Sequence, residues 1–186
     1  MTAEEIARYN ESLLCVPGEA ARLWDLTRLR GRDVRWGVSV RRTSLRAQPT
    51  ATPCPTRAGD RYDDPLQLTA VLPNEPMALL GENADGSFCY AETSYYAGWV
   101  PAADIGLCED LGVWRAAQEG GFLRVTGSRV TLCCDPYEPR VSGAVLPMGT
   151  RLPLAAPPGT VRALRGRVSY DNYLVRLPVR RADGWL

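Results

Sequence analysis

DDPLQLTAVLPNEPMALLGENADGSFCYAETSYYAGWVPAADI, residues 63–105, places apolar runs and turn signals too close together for helices. Leu66, Leu68, Ala70 and Leu72 recur at a period of two, and PNEP (73–76) turns the chain. MALLGE (77–82) and SFCYAET (87–93) flank an Asp-Gly turn, NADG (83–86), the short-range signature of a hairpin. A second turn at 94–97 leads to GWVP (98–101), and 102–105 can form one helical turn. Upstream, Val34, Trp36, Val38 and Val40 alternate with Arg35, Gly37, Ser39 and Arg41, which predicts a half-buried strand. Between them, LRAQPTATPCPTRAGDRYDD (45–64) reads as a long irregular loop. About five short strands with one long loop and tight later turns predict a small, strongly bent barrel.

The pattern resumes downstream. Residues 109–121 read as a connector anchored by Trp114. FLRVT (122–126) and RVTLCC (129–134) are strands, and AVLPMGTRLPLA (144–155) is a strand pair about Met148 and Gly149. A turn-rich basic insertion (156–172) precedes a strand at 173–180. The Asp183-Gly184 turn is followed by Trp185 and Leu186 alone. A strand needs about five residues, so this second unit is expected to lack its closing strand and to leave an open sheet edge. At the other end, 1–31 reads as helical. Thr2 and Glu5 form a capping box, Ile6, Tyr9 and Leu13 keep helical spacing, and Pro17-Gly18 separates a second helix ending at Gly31. The expected organisation is a helical segment (1–33), a first barrel (34–108), a connector (109–121) and a second, incomplete barrel (122–186).

Composition limits the chemistry. The 186 residues contain no His and no Lys; Arg supplies all 22 basic groups against 21 acidic ones, for a net charge of +1. Without His there is no Ser-His or Cys-His dyad and no His metal site, and without Lys no Schiff base. Balanced charge argues against nucleic acid as a partner. The six Cys include no CxxC, so no metal or cofactor is expected, and small buried apolar residues plus a few surface thiols account for them. No run of apolar residues is long enough to span a membrane. The acidic start MTAEEIARYN lacks the basic and apolar regions of a signal peptide, which predicts a cytoplasmic chain.

Several stretches in order resemble the tandem bacterial SH3-like (SH3b) region of NlpC/P60 cysteine peptidases. They are WGVSVRRTSLRAQPT (36–50), with its R-x-x-P-T; residues 63–105, with D-x-x-Q, the Asp-Gly turn and GWV; RVTLCCDPYEPRVSGAVLPMGTRLPLA (129–155), with MGT; and YLVRLPVRRADGWL (173–186), with L-P-x-R-x-x-D-G. The resemblance implies a mainly β fold of two small SH3-like barrels after a short helical segment. It also implies a peptidoglycan setting, in which such peptidases cut the γ-D-glutamyl bond to the diamino acid of short wall peptides. The catalytic domain of that family is missing here, so the chain is expected to be no enzyme by itself. Its partners would be a NlpC/P60 catalytic domain, in cis in the family, and a murein peptide, and a cell-envelope location would follow if the N-terminus is incomplete. The alternative is a stand-alone cell-wall-binding or protein-interaction module.

In the family the first SH3b domain walls off one end of the peptidase cleft and reads the free amino end of the peptide. By position, 45–64 corresponds to the RT loop, and Asp63 and Asp64 are its candidate ammonium partners, with Asp60 beside them. Tyr95, Tyr96 and Trp99 are the candidate aromatic contacts. The plainer reading pairs the acids with Arg57 and Arg61 and packs the aromatics, Tyr62 included, on a barrel rim. Arg41, Arg42 and Arg46, and Arg162, Arg165 and Arg167, form two basic clusters, read either as solvated turn charge or as contacts to wall carboxylates or an acidic polymer.

Overall fold

The computed structural model describes residues 34–186 apart from 58, 61, 136, 162, 165 and 169–171; the helical reading of 1–31 lies outside them. Residues 35–108 form one seven-stranded sheet. Its strands are β1 (Arg35–Ser39), β2 (Thr43–Arg46), β3 (Gln67–Val71), β4 (Pro76–Glu82), β5 (Phe88–Glu92), β6 (Ala97–Pro101) and β7 (Ile105–Cys108). Their order is β3-β2-β6-β5-β4-β1-β7, and every neighbour is antiparallel. Leu45, Val71, Met77, Leu79, Cys89, Ala91, Val100 and Ile105 meet in one buried cluster. They come from six of the seven strands, so the sheet curls around this cluster, and Phe88, Tyr90 and Trp99 form a second buried cluster. Register shifts at Leu45/Arg46 and Leu79/Gly81 supply the bends. The edge strands β3 and β7 are not bonded to each other, so the barrel stays open.

The strands at 66–72, 77–82, 87–93 and 98–101 stand where expected, within a residue or so, and 102–105 opens with a 3₁₀ turn (Ala102–Asp104). The first strand, expected from Val34, is there too. Its burial does not follow the alternation: Val38 is fully buried, but Val34 and Trp36 are exposed, and Gly37 and Ser39 are buried. A Cβ on Gly37 would meet Ile105 Cγ2 at 2.5 Å and Leu79 Cδ1 at 3.2 Å, so the Gly37 face looks into the core. Ser39 is buried because its hydroxyl donates to the Leu72 carbonyl and accepts the Glu75 N–H at 3.0 Å. Thr43–Arg46, whose last two residues were read as the start of the long loop, is a strand because it finds two partners, β3 and β6.

The expected connector holds an eight-residue helix, α1 (Leu111–Gln118). Asp110 caps it, accepting the Gly112 N–H at 2.6 Å. Beyond it lie β8 (Phe122–Arg124), β9 (Arg129–Thr131), β10 (Val145–Pro147), β11 (Arg151–Pro153), β12 (Ala163–Leu164) and β13 (Arg167–Val168). They pair as β9 with β10, β8 with β11 and β12 with β13. The strand expected at 173–180 is reduced to a bridge between Leu154 and Val175.

Residues 184–186 pair with the first sheet. They lie along β7: the Leu107 N–H donates to the Gly184 carbonyl at 2.9 Å, and the Leu186 N–H donates to the Leu107 carbonyl at 3.1 Å. Gly106 makes room, since a Cβ there would stand 2.3 Å from Leu186 Cδ2. The turn before this pairing needs Gly184, which has φ +92°. The second half thus returns to cover an edge of the first sheet.

Candidate functional site

The register brings two expected recognition segments to one end of the curled sheet. Arg46 lies opposite Trp99 in an antiparallel pair, so the loop leaving β2 and the turn entering β6 are at the same end. Asp60, Asp63 and Asp64 lie in the first, Tyr95 and Tyr96 in the second.

The two neighbouring aspartates have different environments. Asp64 is consumed internally. Its Oδ2 accepts from Arg46 Nη1 at 2.9 Å, and its Oδ1 accepts the N–H groups of Cys54 at 3.1 Å and Leu66 at 3.2 Å. Arg46 is itself buried, and it also donates to the Thr52 carbonyl at 3.0 Å. Burial alone would raise the Asp64 pKa, but the Cys54 N–H, the Arg46 guanidinium and the Leu66 N–H outweigh it and hold the carboxyl below its ordinary value. Among the described residues this pair with β2 stands in place of the expected pairing with Arg57; Arg61 lies outside them. An arginine in a strand fixes the long loop against the sheet, where one in the same loop would not.

Asp63 is exposed, and its carboxylate has no hydrogen-bond partner among the described residues. Its backbone N–H is tied to Asp60 Oδ1 at 3.2 Å, as is that of Tyr62 at 2.8 Å, so Asp60 folds the loop tip and leaves Asp63 facing solvent. Tyr62 is 99% exposed.

Tyr95 and Tyr96 are half exposed. Thr93 organises their turn: its hydroxyl donates to the Tyr96 carbonyl at 2.8 Å and accepts the Tyr96 N–H at 3.0 Å. The Tyr95 hydroxyl donates to the Glu75 carboxylate. Burial first, then that carboxylate, push the phenol well above its ordinary value, so it stays a proton donor. The Tyr96 ring is not held in this way. Trp99, expected at the rim, is a core residue: it is 0% exposed and meets Tyr90 edge to face at 5.2 Å between ring centroids. A ligand at the loops cannot reach it. Its phase on β6 is opposite to that of Val100, so the indole lies beside its cross-strand partner Tyr90 in a second buried cluster with Phe88. Its N–H has no hydrogen-bond partner among the described residues.

The first basic cluster also dissolves. Arg46 goes to Asp64, and Arg41 pairs with Asp104, a buried acid that also accepts from Thr43. Of the three, Arg42 alone has no partner among the described residues. Of the second cluster, Arg162 and Arg165 lie outside the described residues. Among the described residues no group of His, Cys, Asp or Glu converges that could hold a metal, and no helix is long and apolar enough to cross a membrane. Cys89 is buried, and burial pushes its thiol up to about 11; Cys133 and Cys134 are exposed and unbridged.

Asn74 is the residue that sequence reading missed. It sits in the β3–β4 turn with φ +69° and is buried. Its Nδ2 donates to Gln118 Oε1 at 2.9 Å and to the Arg151 carbonyl at 3.1 Å, while its Oδ1 accepts from Trp114 Nε1 at 3.1 Å. One side chain therefore joins the first sheet, α1 and β11. The turn was legible from PNEP, because Asn tolerates the left-handed conformation. The docking role was not, because its partners lie 40 or more residues away.

Residues 54–101 match the family model of the SH3 domain of SH3b1 type. That span contains Asp63, Asp64, Tyr95, Tyr96 and Trp99. No curated protein matches the chain. A solved structure of an NlpC/P60 endopeptidase from Photobacterium damselae subsp. piscicida is similar with a TM-score of 0.69 and 18% identity. The similarity covers 98% of this chain and 40% of that one, so the chain spans less than half the length of that endopeptidase. The fold is mainly β and SH3-like, and the chain resembles the SH3b region of NlpC/P60 peptidases.

Proposed function

We propose that this chain is the non-catalytic SH3b portion of a NlpC/P60-type peptidoglycan-peptide hydrolase, with 34–108 and 122–186 as its two SH3-like units. In this role it scaffolds a catalytic domain and reads the free amino end of a short wall peptide. The observation that carries the reading is the lopsided coverage: nearly all of this chain is matched by a minor part of an endopeptidase. The composition agrees, since a chain with no His cannot build a Cys-His dyad.

The recognition role rests on Asp63. A carboxylate with no partner among the described residues is available to an ammonium group, whereas Asp64 is spent on Arg46. Tyr96 offers an unheld ring at the same end of the sheet, and Tyr95 lends its ring face while Glu75 keeps its hydroxyl. Asp64 and Trp99 act behind this surface: Asp64 positions the loop, and Trp99 supports the β6 strand from the core.

The test is an NMR titration of the chain with an L-Ala-γ-D-Glu-diamino acid peptide and with its N-acetyl form. The expected result is weak binding, about millimolar, with shifts confined to 60–66 and 93–96. Acetylation and Asp63→Asn should each abolish it. Equal binding of the acetylated peptide would remove the ammonium reading. No binding of the peptide, with co-sedimentation on intact walls instead, would favour the stand-alone wall-binding module.

A further inference from the structure

A cavity of about 550 Å³ opens between the β1–β2 turn of the first sheet and the 140–147 and 177–180 segments of the second half. It lies at the opposite end of β2 from the loop that carries Asp63, so it is not part of the surface proposed to read the peptide. Arg41, Arg42, Arg140 and Arg180 all line it, and among the described residues no Asp or Glu does. The rest of its wall is largely apolar, with Val145 and Leu177 among the side chains.

Two of these charges are neutralised from behind. Asp104 pairs with Arg41, and Glu138 holds Arg140 in a two-pronged bond through Nε at 2.6 Å and Nη2 at 2.7 Å. Two are not. Arg42 has no partner among the described residues, and Arg180 spends its Nε on a neutral acceptor, the Ile105 carbonyl, at 3.0 Å. The cavity lining therefore carries an uncompensated charge of about two on guanidinium groups, whose planar forks match oxyanions. Its apolar wall lowers the local dielectric and strengthens attraction for an anion. The positive charges come from both halves of the chain, so an anion there would also bridge the first sheet and the second unit.

We propose that this junction cavity is an oxyanion site that takes a doubly charged phosphate or dicarboxylate group. The two chemistries share the guanidinium fork, and the experiment separates them. The full chain is titrated with inorganic phosphate and, separately, with succinate, at constant ionic strength maintained with chloride, and followed by amide NMR shifts and by the thermal midpoint. The expected result is saturable shifts at 40–42, 140–147 and 177–180, with a rise in midpoint that tracks occupancy. The anion with the lower Kd identifies the group the site prefers. Arg42→Gln should weaken binding about tenfold or more, consistent with loss of a charge-assisted bond, and Arg140→Gln should weaken it too. Arg57→Gln, on an exposed loop outside the cavity, should leave binding unchanged. Asp63→Asn should also leave it unchanged, which separates this site from the peptide surface. Arg42 is exposed, so its substitution leaves the fold intact, and an unchanged circular dichroism spectrum checks that. Shifts that follow chloride as well as phosphate, equal losses in Arg42→Gln and Arg57→Gln, or no saturable shifts would each overturn the proposal.

Discussion

The two halves of the chain spend their apolar residues differently. In 35–108, side chains from six strands close on one cluster, and Leu45, Val71, Leu79 and Val100 are at most 1% exposed. In 122–186, the buried described residues are Leu146, Thr150, Leu152, Pro153 and Gly184, while Phe122, Val130, Val145, Met148 and Tyr173 are about half exposed. The first half is a sheet that satisfies itself. The second is a set of two-stranded pairs, and such a pair is marginal unless it packs on something else. Here the support comes from the first half: Asn74 grips α1 and β11, and 184–186 pair with β7. Stability is therefore expected to be uneven, with the sheet as the rigid frame and the pairs as its dependants.

The sharpest test compares the same truncation in both halves. Leu79→Ala empties a site walled by strands on both sides and should cost about 2–5 kcal/mol. Leu152→Ala, on a three-residue strand, leaves a site whose neighbours can collapse, and its cost should fall at or below the bottom of that range. Denaturant midpoints at constant slope decide it. Equal costs would mean that the second half has a core as rigid as the first.

Asn74 tests the dependence directly. Asn74→Ala strands the Trp114 N–H and the Arg151 carbonyl, and each buried group left unpaired costs about 1–3 kcal/mol. It also puts Ala at φ +69°. Asn74→Gly removes the same bonds without that backbone penalty, so it should be less destabilising by about 1 kcal/mol. In both variants amide exchange should speed up in α1 and β11 but not in β4 and β5. Uniform acceleration would show that the halves unfold as one unit.

Asp64 links the comparison to pH. Its folded pKa lies below the ordinary 3.8, so its stabilising contribution is present above that value and is lost as pH falls through the lowered folded pKa. The wild-type chain should lose stability below about pH 4. Asp64→Asn should be less stable at neutral pH and show a shallower acid limb. Because Asp64 fixes the loop to β2, the change should appear in 52–66 and leave 122–186 alone. Parallel acid limbs would show that Asp64 contributes no such linkage.

Legibility in the sequence followed contact distance. The hairpins through NADG and PNEP were readable because their signals are local turn chemistry. β2 was not, because Thr43–Arg46 carries no period of its own and is a strand only through partners far along the chain. Burial along β1 was not legible for a related reason: alternation names two faces, and what each one packs against depended on Ile105 and Leu79 needing the space above Gly37. In the candidate site, Asp63 and Asp64 were equivalent as letters. They separated only when Arg46, 18 residues from Asp64, selected one of them. Trp99 carried the residue type of a binding surface and the phase opposite to the core residue Val100, and packing with Tyr90 and Phe88 buried it.

The smallest effect concerns the helix between the halves. α1 has eight residues, too short to be stable alone, so its start depends on the cap at Asp110 and on its packing. Asp110→Ala frees the Gly112 N–H at an exposed site and should cost about 1 kcal/mol. If α1 works as the clamp between sheet and strand pairs, that loss should appear as faster exchange in β8 and β11 as well as in α1. The β1–β7 amides should keep their protection. If the loss stays within α1, then the Asn74 bonds and the 184–186 pairing hold the second half without help from the helix start, and the dependence of the second half on the first rests on those two contacts.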